Sequence, residues 1–369
     1  MLATGYGQML EMDTWTLRSY GDVPAPSSYQ PPALPSARGP VTEWLLDVLV
    51  QPPHDCGRPP AVADDPITGE DSALALYLMY ELHYRGLAGV VDEWEWEPSL
   101  LAARRTFEAA FLDALGQQVP MPPVPIDIAD ALRARTDSGS DDGPSLSNYC
   151  EFEASETQLR EVCVHRSAWQ LKEADPHTWA LPRLGGRPKA ALAKIQGGEY
   201  GDGEERDVHQ NLFALTLSLL DLDPQYGAYL DYLPGVTLAS VNLVSVFGLH
   251  RRWVAALVGH LAAFEMSSVT PMAAYSAGLR RLGYSQDACH FFDTHVVADA
   301  HHQQLAADEL AAGLVEQQPR AGAEILWGAD CMGWIEGQLS DHVLGAWQDH
   351  RSSLRRPLAT TFLRSAAFS

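Results

Sequence analysis

Residues 286–314 read QDACHFFDTHVVADAHHQQLAADELAAGL. Nothing here alternates in the manner of a strand, and no Asn-Gly or Asp-Gly turn brackets the run, so it is read as a helix. His295, Asp299 and His302 stand at i, i+4 and i+7. At about 100° per residue their directions fall near 0°, 40° and −20°, on one narrow face. Two imidazoles and a carboxylate on one face are the nitrogen and oxygen donors that suit a redox-active divalent iron better than a thiolate site does. His301 points to the opposite side. By itself the pattern also fits a polar helix face with incidental histidines.

Working outward, the flanking segments read as helices too. Upstream lie TPMAAYSAGLRRLG, HRRWVAALVGHLAAFEM, LASVNLVSVFGL and ERDVHQNLFALTLSLLDL. Before them come GGRPKAALAKIQGGEY, interrupted by glycines, and ASETQLREVCVHRSAWQLKEA, capped by Ser155 and ending near Pro176. AEILWGADCMGWIEGQLSDHVLGAW lies downstream. Nearer the N-terminus, helical spacing begins at Val41. EDSALALYLMYELHYRGL follows, with Asp71 or Ser72 as its cap and Gly89 helping to end it. PSLLAARRTFEAAFLDALGQQV begins at Pro98, and IADALRAR is a short helix. The polar stretch DSGSDDGPS places a domain boundary around residues 137–145. The expected organisation is a flexible or draped Pro-rich lead-in (1–40), an accessory helical region for packing or dimerisation (41–140), and a main domain (150–355). The class is all-α, and a bundle is the default burial of such amphipathic stripes.

Composition narrows the function. Of 369 residues 46% are hydrophobic, and the formal charge is −23. An acidic globular chain is repelled by nucleic acid and anionic membranes. No stretch reaches the roughly 18–20 apolar residues of a membrane helix, and the N-terminus lacks a basic, then apolar, leader pattern. The five cysteines form no CxxC pair and read as the reduced thiols of a cytoplasmic protein.

A bundle metal site draws carboxylates from facing helices. Glu173 closes HRSAWQLKEA, Glu199 lies in KIQGGEYGDG, and His209 opens an apolar helix. In one continuous helix Glu199 and His209 would stand about 80° apart, too far to converge, but Gly201 and Gly203 between them can break it. Each residue alone also reads as a capping acid or surface charge. Glu265 follows Leu257, Leu261 and Ala262 on an inward stripe. A carboxylate buried there must bind metal, bond a ligand histidine or meet an arginine. His165, His250 and His260 read as satisfied core histidines.

Taken together, KEADPHTWALPRLGGRPKAALAKIQGGEYGDG, DVHQNLF, GHLAAFEM and HVVADAHH resemble the haem-oxygenase-like diiron oxidases, the iron-containing redox enzymes, over about residues 155–352. The resemblance implies a haem-oxygenase-like helical bundle preceded by an accessory N-terminal helical region. It implies iron ligation by Glu173, Glu199, His209, His295, Asp299 and His302, with Glu265 as a ligand found in some members. Two departures stand out. Gly198 occupies the position before Glu199 where members usually carry Asp. Arg206 stands where some members carry a further Glu, leaving Glu205 or Glu265 to complete the set.

The implied cofactors are two Fe(II)/Fe(III) ions, with O2 as co-substrate and an external reductant. The implied activity is oxidation of a small molecule, foremost N-oxygenation of a small amine or amino acid. Desaturation or C–C cleavage of an amino or fatty acid by the same site is the alternative, and a non-catalytic iron-binding protein the second. Arg251, Arg252 and Tyr200 are candidate substrate contacts, the arginines as a carboxylate clamp. The expected partners are a small-molecule substrate and a second copy in a homodimer, with no nucleic acid and no membrane.

Overall fold

The structure is a computed structural model and describes residues 30–137 and 145–359. The proposed boundary at 137–145 therefore falls almost wholly outside the described residues, as do residues 1–29 of the lead-in. No strand occurs among the described residues. The α-helices are α1 Pro40–Leu49, α2 Glu70–Glu81, α3 Pro98–Gln118, α4 Ile128–Asp137 and α5 Leu146–Phe152. Then come α6 Glu156–Gln170, α7 Asp175–Thr178, α8 Gly186–Glu199, α9 His209–Leu219 and α10 Gly235–Leu249. The last five are α11 Val254–Ser267, α12 Val269–Arg281, α13 Gln286–Gln304, α14 Ala312–Gln317 and α15 Ala321–Gln348.

α10 and α11 are apolar nearly all round, as helices buried on every side must be. α11 lies tightly on α15: a side chain on Gly259 would collide with the Ile325 carbonyl, and one on Gly328 with that of Ala256. α2 packs along α10, so one apolar core runs from α1 to α15. The arm at 30–39 is pinned rather than loose: the Ser36 N–H donates to Asp231 (2.8 Å), and Arg38 pairs with Glu70 (2.8 Å). No single helix among the described residues is long and apolar enough to cross a membrane.

Several local expectations are corrected. α2 has Gly69 at its N-cap and no side-chain cap. Asp71 instead caps α1, accepting from the N–H groups of Val41 and Thr42 (both 2.8 Å), which exposes no orphan donor at that buried end. α2 also stops at Glu81, well before Gly89. Ser155 does cap α6, in a reciprocal box with Gln158, but α6 ends at Gln170, leaving Glu173 in the following turn rather than on a helix. The glycines at 197 and 198 do not interrupt α8, which packing holds helical to Glu199. The long helix opened by Gln286 passes into a π-helix at Leu305–Ala311.

Candidate metal centre

Each candidate ligand arrives by a local device. After Glu199 the chain cannot continue as a helix: Gly201 (φ 64°), Asp202 (φ 50°) and Gly203 (φ 91°) all take left-handed backbone. A β-carbon on Gly201 would stand 2.5 Å from the Asp207 carbonyl carbon, so only glycine fits this tight reversal. Two 3-10 turns follow, and His209 then opens α9. The break removes the 80° conflict and turns His209 back onto Glu199.

The seven acids and histidines gather in two groups that share a residue. Donor atoms of Glu173, Glu199, His209 and His295 all lie within 4.8 Å of one another, and so do those of Glu199, Glu265, Asp299 and His302. In the first group His209 Nδ1 is 2.7 Å from Glu199 Oε2 and 3.1 Å from His295 Nε2, which in turn is 3.3 Å from Glu173 Oε2. In the second, His302 Nδ1 is 3.4 Å from Glu199 Oε1, 3.3 Å from Glu265 Oε2 and 3.8 Å from Asp299 Oδ1. All seven side chains are buried.

Close as they are, these atoms do not satisfy one another. Glu199 Oε2 and His302 Nδ1 are buried yet make no directed hydrogen bond. Four carboxylates and three imidazoles, with no lysine or arginine among them, form a set whose charge and free lone pairs a pair of divalent cations would balance. The donor set therefore fits iron. The supporting contacts agree with ligation: His295 Nδ1 faces the Phe291 carbonyl at 2.9 Å, which leaves Nε2 for a metal, and Ser268 Oγ donates to Asp299 Oδ2 at 2.5 Å.

The electrostatics show how strained the bare cluster is. Burial, then the charge of Glu265, pushes the Asp299 carboxyl up to about 8, and burial likewise raises Glu265. Burial opposes charge on Glu199 too, but the His209 and His302 imidazoles beside it hold its carboxyl well below the usual range. Burial lowers His302, but the Glu199 and Glu265 carboxylates 3.4 and 3.3 Å away outweigh it and raise the imidazole to about 10. His295 is raised by Glu173 in the same way.

Gly198 now has a structural reading. A β-carbon there would stand 2.9 Å from His302 Nε2, so the imidazole occupies the space an Asp side chain would need. Gly198→Ala should displace His302 and weaken metal uptake by the second group about 10-fold or more, the range seen when a ligand's support is disturbed. Helix content by circular dichroism should stay unchanged. Normal metal uptake in that variant would show that His302 is not a ligand.

Other candidates are placed elsewhere. Glu205 is exposed and belongs to neither group. His301 is exposed, 3.0 Å from Lys194 Nζ. Arg251 and Arg252 sit just before α11, at the opposite end from Glu265, about 20 Å away along the helix axis at about 1.5 Å per residue. There they line an open surface groove with Arg183, Arg320 and Glu324, and Arg252 pairs with Glu324 at 2.6 Å. Tyr200 is close by in sequence, but its hydroxyl is already engaged with Asp175 (3.0 Å) and Thr178 (2.8 Å). His165 is satisfied by Thr237 and Ser353 (2.7 and 3.0 Å), and His260 meets His177 at 3.2 Å. His250 lies at the rim on Glu108 (2.9 Å) rather than in the core. All five cysteines are free and buried.

A narrow cavity opens onto both groups, walled by Trp169, Ala174, His177, Gln196, Leu261 and Phe264. Sequence reasoning missed His177 and Gln196, since neither belongs to a ligand pattern. Gln196 Nε2 donates to the carbonyl of Ala174 (2.8 Å) and to Thr178 Oγ1 (2.6 Å), which leaves its buried carbonyl oxygen without a partner. Trp169 Nε1–H is likewise buried and unpaired.

An all-α bundle enclosing such a donor set is the architecture of a helical non-haem iron protein. The comparison with known families agrees: the model for iron-containing redox enzymes matches residues 160–336, from α6 into α15, and that stretch holds all seven acids and histidines. This part of the chain belongs to that family, and the protein is an iron-dependent oxidoreductase. No curated protein matches the chain.

Proposed function

We propose that the protein is a non-haem diiron oxygenase, and that Glu173, Glu199, His209, Glu265, His295, Asp299 and His302 hold its two iron ions. The observation that carries this reading is the shared carboxylate: two four-residue groups meet at Glu199, so one side chain would serve both ions. Bound there, the iron pair supplies reductive activation of O2 with electrons from an external donor. The chain's own part is to hold donors in place and keep bulk water out. Carboxylates dominate the set, and they tolerate the higher oxidation states and change binding mode as charge builds.

The cavity walls favour an amine over an anion. They carry no lysine or arginine to meet an anion, and His177 is kept neutral, its pKa pushed down to about 3 by burial. Gln196 offers an acceptor to a substrate N–H, and Trp169 and Phe264 offer ring faces. The reading is therefore N-oxygenation of a small amine or amino acid. The open space is only about 10 Å³, roughly one water. Trp169 and Phe264 also wall a neighbouring cavity of similar size lined by Ser240, Leu243 and Met332.

Anaerobic loading with ferrous iron tests the reading. Two irons per chain are expected, with O2 consumption triggered by an amine in a substrate screen. Uptake of a single iron, or none, would sink the diiron assignment. Two irons without amine-triggered O2 consumption would sink the substrate class.

A further inference from the structure

We propose that the N-terminal helical region is a working part of this centre: the end of α2, through Glu81 and Arg85, positions the segments that carry Glu173, Glu199 and His209. The proposal rests on the reading of those residues as ligands. Lys172, adjacent to Glu173, is 1% exposed, and its Nζ is 3.0 Å from Glu81 Oε2. The Tyr226 hydroxyl donates to the same oxygen at 2.6 Å. The rings of Tyr84 and Tyr77 close over the ammonium, with centroids 4.1 and 5.0 Å away. One turn along, Arg85 Nη2 donates to the Leu171 carbonyl (3.1 Å) and to Gln210 Oε1 (2.9 Å). Gln210 Nε2 and the Tyr200 hydroxyl both donate to Asp175 Oδ1, at 3.2 and 3.0 Å.

The three residues gripped are the immediate sequence neighbours of three ligands: Lys172 of Glu173, Tyr200 of Glu199, and Gln210 of His209. Glu173 sits in a turn and His209 is the first residue of α9, directly after a broken loop, so neither is held by helix on both sides. A buried lysine–glutamate pair adds little net stability over an apolar pair of similar volume, so its use here is better explained as specifying position. Glu265, Asp299 and His302 have no neighbour in this network. Asp299 is held instead by Ser268 before α12. The lock therefore acts chiefly on the first group and reaches the second only through the shared Glu199.

The test is anaerobic Co(II) titration of the metal-free full-length protein, followed by the visible ligand-field bands, alongside thermal melting. Tyr226→Phe and Arg85→Met are expected to weaken one of the two binding events by about 10-fold or more, while the other, touched only through Glu199, weakens clearly less. The surviving event should be the one that Glu265→Ala abolishes. Glu81→Gln leaves Lys172 unpaired and is the variant at risk of misfolding. Lys172→Met with Glu81→Leu restores apolar packing, and should melt near wild type yet bind weakly at the first group. Unchanged binding in these variants, equal weakening of both events, or full recovery of binding with stability in the double variant would overturn the proposal. A wild-type protein taking up one ion would sink the two-metal reading instead. The lock would then be judged on that single event.

Discussion

Glu199→Ala is expected to release both metal ions, whereas Glu173→Ala and Glu265→Ala each release one. Glu199 is the residue common to the two groups, with Oε2 turned toward His209 and Oε1 toward His302. Removing it takes a donor from each set of four. Losing even a supporting partner typically costs about 10–100-fold in metal affinity, and losing a shared ligand should cost at least about that at both positions. Iron per chain should fall from two toward zero under loading that saturates wild type. O2 consumption should vanish, and helix content should stay near wild type, because the core is built from other residues. His301→Ala, at an exposed position on the same helix, should bind as wild type does. Retention of one tightly held iron by Glu199→Ala would show that the carboxylate is not shared.

The metal-free protein should lose thermal stability as pH rises from about 6.5 to 8, and iron should abolish the loss. Asp299 is raised to about 8 and His302 to about 10, against unfolded values of about 3.9 and 6.5. A group whose folded pKa is raised stabilises most fully below its unfolded pKa, and that stability is lost as pH climbs to the folded value. For Asp299 the window is about 4 to 8, and for His302 about 6.5 to 10. The buried His165 and His177, held near 3 chiefly by burial, act with the opposite sign, but only below about 6.5, where the unfolded imidazole is charged. Above that pH nothing cited opposes the decline. Each extra native proton is worth about 1.4 kcal/mol per pH unit. At about 1–2 °C per kcal/mol for a chain of this length, a fall of about 3–6 °C is expected by differential scanning calorimetry. Metal binding needs deprotonated ligands, so iron affinity rises with pH and the gap between loaded and metal-free melting temperatures should widen. A metal-free melting temperature that is flat or rising over this window would refute the crowded-acid account.

Much of this architecture is legible in the chain. The spacing of His295, Asp299 and His302 sets them on one helical face by arithmetic alone, and α13 presents all three inward. Pro98 and Ser155 begin their helices as local chemistry dictates. Predictions failed where a residue's partner is remote in sequence. Asp71 looks like the cap of the helix it sits in, but its oxygens serve α1, about thirty residues earlier. Arg251 and Arg252 read as a substrate clamp only while the direction of α11 is unknown. Nothing near Lys172 in the chain signals its partner, and only packing brings Glu81 of α2 against it.

The sequence by itself determined the helical class, the iron-suited donor types, and the break after Glu199, because helical periodicity, ligand chemistry and glycine's backbone freedom are properties of short segments. The tertiary structure alone decided that Glu199 is common to two groups, that Glu265 faces the centre while Glu205 does not, and that α2 grips the turn beside Glu173. These depend on how far apart segments come to rest in the packed core, and no local pattern encodes that distance.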